Sequence, residues 1–114
     1  MYDDMVEVCE PVKDINPEYP FEVKVAQPRK RPTETGGTDA TVFALHGVPT
    51  YGFSESDFKG YNFNYGEIWH TERDLYTKSI PEYMEHTSVV TAVVALGVAN
   101  LKKQLSREGM YLEE

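Results

Sequence analysis

The most apolar run of the chain, residues 89–101, constrains its folding most: it contains only Thr91 and Asn100 as polar interruptions. A spanning helix needs roughly 20 consecutive apolar residues, so this run is too short for that and reads as a buried helix. Val90, Val93, Val94, Leu96, Val98 and Leu101 fall nearly all round such a helix, which predicts packing on more than one side. Just upstream, Ser79, Ile80, Pro81 and Glu82 match a capping box, with the Ser79 hydroxyl offered to a backbone amide and Glu82 reaching back. The predicted helix runs from Ile80 to about Leu105, with Gly109 as its stop.

A chain of 114 residues is the size of one small domain, with a single core that is feasible but not generous. Met5, Val6, Val8, Cys9 and Val12 recur at helical spacings, and Pro11 and Pro17 keep the helix over residues 2–12 short. Phe21, Glu22, Val23, Lys24 and Val25 alternate apolar and polar, the pattern of a strand with one buried face. Pro28 and Pro32 then end regular structure. Gly36 and Gly37 form a turn, Thr38 or Asp39 caps a short helix over residues 40–46, and Gly47 closes it. Residues 48–53 read as a second strand, residues 54–66 as a long loop rich in Gly, Asn and aromatics, and residues 67–70 as a brief third strand. Strands alternating with helices predict a layered α/β fold with the last helix against a sheet.

A formal charge of −8, from 11 Lys plus Arg against 19 Asp plus Glu, repels phosphate backbones and anionic lipid surfaces, which excludes nucleic acid as a natural partner. The one basic cluster, Arg29, Lys30 and Arg31, is bracketed by prolines and reads as a solvated connector. A lone cysteine, Cys9, excludes an internal disulfide framework and a zinc–thiolate cluster. Acidic residues follow Met1 where a signal peptide has a basic and then an apolar segment. A secreted or periplasmic parent would carry its signal further upstream.

Gly36, Gly37, Thr38 and Asp39, a short helix, Gly47, Val48 and Pro49, then Trp69, His70 and Thr71 with Asp74 beyond them, resemble in order and spacing the last part of the di-zinc aminopeptidase family. That family includes bacterial aminopeptidases, glutamate carboxypeptidase, the transferrin receptor ectodomain and the glutaminyl cyclases. The resemblance covers residues 34–101; residues 1–33 would add a helix, a strand and a connector. It implies the C-terminal segment of an α/β sandwich of the phosphorylase/hydrolase type, with short strands and a long final helix on the sheet. It also implies that His70 is a ligand of one of two zinc ions bridged by a hydroxide, a role that suits a neutral imidazole. Asp74 matches the family's acidic residue after the histidine, placed to orient the loop or a neighbour. Asp39 matches the family's Ser-Asp turn, although Thr38 replaces the usual Ser and Ala40 stands where many members have His. Trp69 shares its residue type with the glutaminyl cyclases, among others.

His46, at a helix end, and His86, early in the final helix, read as structural. Tyr51, Phe53, Phe58, Tyr61, Phe63, Tyr65 and Trp69 either wall a pocket for an apolar substrate side chain or pack the loop down. In the family, a bridging carboxylate, a second histidine, further acidic ligands and a glutamate base all precede the matched region, and nothing before Glu34 resembles their motifs. The resemblance therefore implies a fragment of a zinc-dependent aminopeptidase that cleaves N-terminal peptide bonds, inactive alone and binding no zinc by itself. The alternatives are a glutaminyl cyclase-like acyltransferase and a non-catalytic interaction module. Apolar surface left uncovered in such a fragment predicts self-association.

Overall fold

A computed structural model describes residues 1–25, 27 and 30–112. The elements are helical: α1 (Tyr2–Cys9), a 3₁₀ turn (Glu10–Asp14), α2 (Asp39–Leu45), the single-turn α3 (Tyr65–Ile68), a second 3₁₀ turn (Tyr76–Lys78) and α4 (Pro81–Ala99). No β-sheet forms among the described residues, so the layered α/β expectation is corrected to a mostly helical fold with extended connections.

The core lies between α1 and α4. Met5, Val8, Cys9 and Val12 from the first helical segment close against Val90 and Val94, with Val12 and Val94 almost fully buried. These residues recur at helical spacing on each segment, so one stripe of each helix meets the other. Gly97 makes the approach possible: a Cβ there would lie 2.7 Å from Val8 Cγ1. Burial raises the Cys9 thiol pKa, as expected of a small apolar side chain in a core.

The alternation at residues 21–25 has a real consequence without a sheet. Phe21 and Val23 pack on the core while Glu22 and Lys24 face solvent, but Val25 is exposed too and the segment pairs with no strand among the described residues. Residues 48–53 likewise form no ladder, and the expected third strand at residues 67–70 is the end of α3 and its turn. In place of a sheet, the last helix covers α1.

α2 matches expectation closely. Thr38 is its extended N-cap, although its side chain makes no capping bond. Gly47, at φ +68°, ends the helix in a Schellman arrangement, its amide donating to Ala44 O and the Val48 amide to Phe43 O. Arg31 Nε donates to Leu45 O at 2.9 Å, so this member of the basic cluster serves a helix C-terminus. Arg29 lies outside the described residues.

The capping box is absent at the start of α4. Ile80 is the N-cap, Pro81 opens the helix, and no side chain caps it. The helix also ends earlier than expected, at Ala99 with Asn100 as its C-cap, well before Gly109. No helix among the described residues is long and apolar enough to cross a membrane. The radius of gyration of 16.1 Å exceeds the ~13 Å of a compact 100-residue domain, and the extents of 43 × 34 × 20 Å describe a flattened body.

Candidate functional site

His70 sits immediately after α3, and local chemistry fixes that corner. The Asn64 side chain caps the helix by accepting from the Gly66 amide at 3.0 Å, and the Trp69 amide donates to Tyr65 O. Thr71 Oγ1 donates back to Glu67 O at 2.8 Å, while the Asp74 amide donates to Thr71 O. Between these pins His70 adopts φ +56°, a left-handed conformation uncommon for a residue with a side chain. Its ring lies 4.2 Å from that of Trp69, which in turn stacks on Tyr65 at 6.1 Å. Both His70 and Trp69 are exposed, so the imidazole is accessible and braced on one side.

The other residues expected at the site are distributed differently. Asp74 belongs to the same corner and lines a groove beside Ile68, Leu75 and Met84. Asp39 opens α2, a separate element, where a carboxylate in the first turn favours the helix dipole. Among the described residues no three His, Cys, Asp or Glu side chains converge in a way that would hold a metal.

A second cluster, invisible to the local sequence patterns, joins residues 19, 57–63 and 82–86 around Tyr83. Tyr83 is buried; its hydroxyl donates to Asp57 Oδ1 at 2.8 Å and accepts from the Lys59 amide at 3.0 Å. Asp57 also accepts from the amides of Tyr61 and Phe63, which folds the aromatic loop around one carboxylate. Burial alone would raise the Asp57 pKa, but the bonds from Tyr83 and these amides bring it below the usual carboxylate range. Phe58, Tyr61 and Phe63 pack around the Tyr83 ring. Three of the seven aromatics of this region, Phe58, Tyr61 and Phe63, thus hold the loop down on α4, while Tyr51 pairs with Phe53 and Tyr65 with Trp69.

Glu82, read from sequence as half of a capping box, belongs to this cluster. It accepts from Lys59 Nζ at 2.7 Å and from the Tyr19 hydroxyl at 2.7 Å. The Lys59 bond first, then those of Tyr19 and Tyr61, lower its pKa to about 2. Desolvation first, and then the Glu82 bond, pushes Tyr19 up to about 12, while Lys59 is raised by its bond to Glu82. The Lys59 ammonium also lies 5.0 Å from the Tyr19 ring centroid.

Beneath this network lies a cavity of about 90 Å³, walled by Phe21, Phe53 and Phe58 with His86, Glu55 and Thr87 on its polar side. His86, expected to be structural, stacks on Tyr19 at 4.3 Å, which agrees with a packing role. Its Nε2 is buried with no hydrogen-bond partner among the described residues.

No protein-family model matches the chain, and no curated protein or solved structure matches it either.

Proposed function

We propose that this chain is the segment of a zinc-dependent metallo-aminopeptidase that contributes His70 as one zinc ligand, the parent enzyme hydrolysing N-terminal peptide bonds. The observation that carries the reading is the state of His70 itself. An exposed imidazole is held in a left-handed backbone conformation that costs of order 1–3 kcal/mol, at the position the Trp-His-Thr motif designates. Strain of this kind is retained where the surrounding structure places a side chain for use.

The described residues alone do not make a zinc site, because such sites take three or four protein ligands and His70 has no converging partner. On this reading the remaining ligands come from residues outside this chain. The chain's own part is to present one imidazole, braced by Trp69 and set by the Thr71 bonds, with Asp74 in the same corner. Trp69 supports a second reading, a glutaminyl cyclase-like acyltransferase, since that family also places tryptophan before the histidine. Self-association belongs to the same proposal, because Met84, Val89 and Leu96 on α4 are exposed.

Titration of the chain with zinc, followed through the ring resonances of the three histidines, tests the reading. His70 is expected to respond ahead of His46 and His86 with the weak affinity of a single imidazole, and the response to vanish in His70→Ala. Submicromolar binding would mean a complete site within this chain, and an unresponsive His70 would remove it as a ligand.

A further inference from the structure

The cavity beneath the Tyr19–Glu82–Lys59 network is separate from the His70 corner, and its lining has a consistent chemistry. Its walls are aromatic: Phe21, Phe53, Phe58, Tyr19 and Tyr83 all line it. Ring faces present negative charge to whatever lies against them. Its polar side offers acceptors. Glu55 accepts from the Thr87 hydroxyl through Oε1 alone, and His86 Nε2 is buried and unpartnered. A buried polar atom left without a partner is costly, and a native fold that keeps one calls for an explanation.

We propose that this cavity binds the ammonium end of a small primary alkylamine. The cation lies among aromatic rings, the Glu55 carboxylate supplies the countercharge, and an ammonium N–H is donated to His86 Nε2. The chain itself shows that this neighbourhood accepts such a group, since the Lys59 ammonium rests over Tyr19 while bonded to Glu82. The formal charge of −8 further favours a cation over an anion. Size sets the limit. A cavity of about 150 Å³ admits benzene, so about 90 Å³ has room for roughly four non-hydrogen atoms, which is the size of propylammonium. The mouth of the cavity is open, so a longer amine can leave its remainder in solvent.

The probe is propylammonium chloride, with 1-propanol as the neutral control of the same size, and the readout is the amide shifts of Ser54, Ser56 and Thr87 in the full 114-residue chain. A ligand this small is expected to bind in the millimolar range, about tenfold more tightly than 1-propanol. Glu55→Gln keeps the shape and removes the charge, and is expected to abolish most of that preference. His86→Phe removes the acceptor and is expected to weaken propylammonium while sparing 1-propanol. Equal binding of the two probes would reduce the feature to an apolar hole and overturn the proposal. So would the absence of any shift change up to about 100 mM propylammonium in a chain whose other resonances are well dispersed.

Discussion

The Tyr83 hydroxyl donates to Asp57 Oδ1 at 2.8 Å, tying the first turn of α4 to a loop residue 26 positions earlier. Through Asp57 that one bond organises the Tyr61 and Phe63 amides, so the aromatic loop and the helix form one unit. Tyr83→Phe keeps the ring packing and removes the donor, leaving a partly buried carboxylate short of one bond. The expected result is a melting temperature lower by a few degrees and faster hydrogen exchange at Tyr61 and Phe63. Unchanged exchange at those amides would show that Asp57 holds the loop without Tyr83.

Gly97 at the α1–α4 crossing gives a steric prediction. A methyl group there meets Val8 Cγ1 at 2.7 Å, which is overpacking. The cost is roughly 1–3 kcal/mol, and the better helix propensity of alanine returns only about 1 kcal/mol. Gly97→Ala is therefore expected to destabilise the fold in urea denaturation, and adding Val8→Ala should relieve the clash. Stabilisation by Gly97→Ala alone would contradict this packing of α1 on α4.

Glu82 fixes the response to acid. Its pKa is lowered from 4.5 to about 2, so its contribution to stability is fully present above about pH 4.5 and is lost as pH falls through about 2. Tyr19, raised from 10.0 to about 12, acts in the opposite direction: its contribution is complete below about pH 10 and lost as pH rises towards 12. Thermal unfolding across both windows should show both losses, and Glu82→Gln should flatten the acid limb. An acid limb unchanged in that variant would place the titration elsewhere.

The local patterns carried the helices well and the long-range pairing poorly. The expected helices at the start of the chain, after Gly37 and near the end all form, although α4 stops at Ala99, short of Leu105, and α3 overlaps the expected third strand; Gly47 terminates α2 with the positive φ expected of it. The alternation at residues 21–25 foretold the partial burial of Phe21 and Val23 but not the exposure of Val25, at 67%, and a ladder needs a partner strand that does not form among the described residues. Glu82 fitted a capping box by spacing, yet an ammonium and a phenol brought from positions 59 and 19 bind it instead. Partners so distant in sequence leave no periodic trace. At the candidate site the motif singled out His70, Trp69 and Asp74 on one corner, whereas Asp39 lies on another element. The left-handed backbone at His70 had no signal in the sequence, because a glycine would have advertised it and a histidine does not.

That backbone makes His70→Gly informative. Glycine adopts φ +56° without the Cβ penalty, and after its own entropic cost the variant is expected to be more stable than His70→Ala by about 0.5–1 kcal/mol. Chemical denaturation of the two variants measures the difference. Equal stabilities would mean that the corner relaxes and is not holding the imidazole against strain.

The exposed face of α4 gives an assembly prediction. Leu96 is 65% exposed and Met84 56% exposed on a helix with no Asp, Glu, Lys or Arg between Glu85 and Asn100. Burying such a face is worth about 25 cal/mol per Å² of apolar area, enough to hold copies together at high concentration. Sedimentation is expected to show concentration-dependent association that Leu96→Lys abolishes. A wild-type chain that stays monomeric throughout would contradict it.

The most direct test of the central claim is made in the complete protein that carries this segment, by measuring bound zinc and hydrolysis of a chromogenic aminoacyl substrate before and after His70→Ala. Loss of one zinc and of turnover, with the far-ultraviolet circular dichroism unchanged, is the expected result. A folded variant that keeps its full metal content and near-normal turnover would show that His70 is not a zinc ligand.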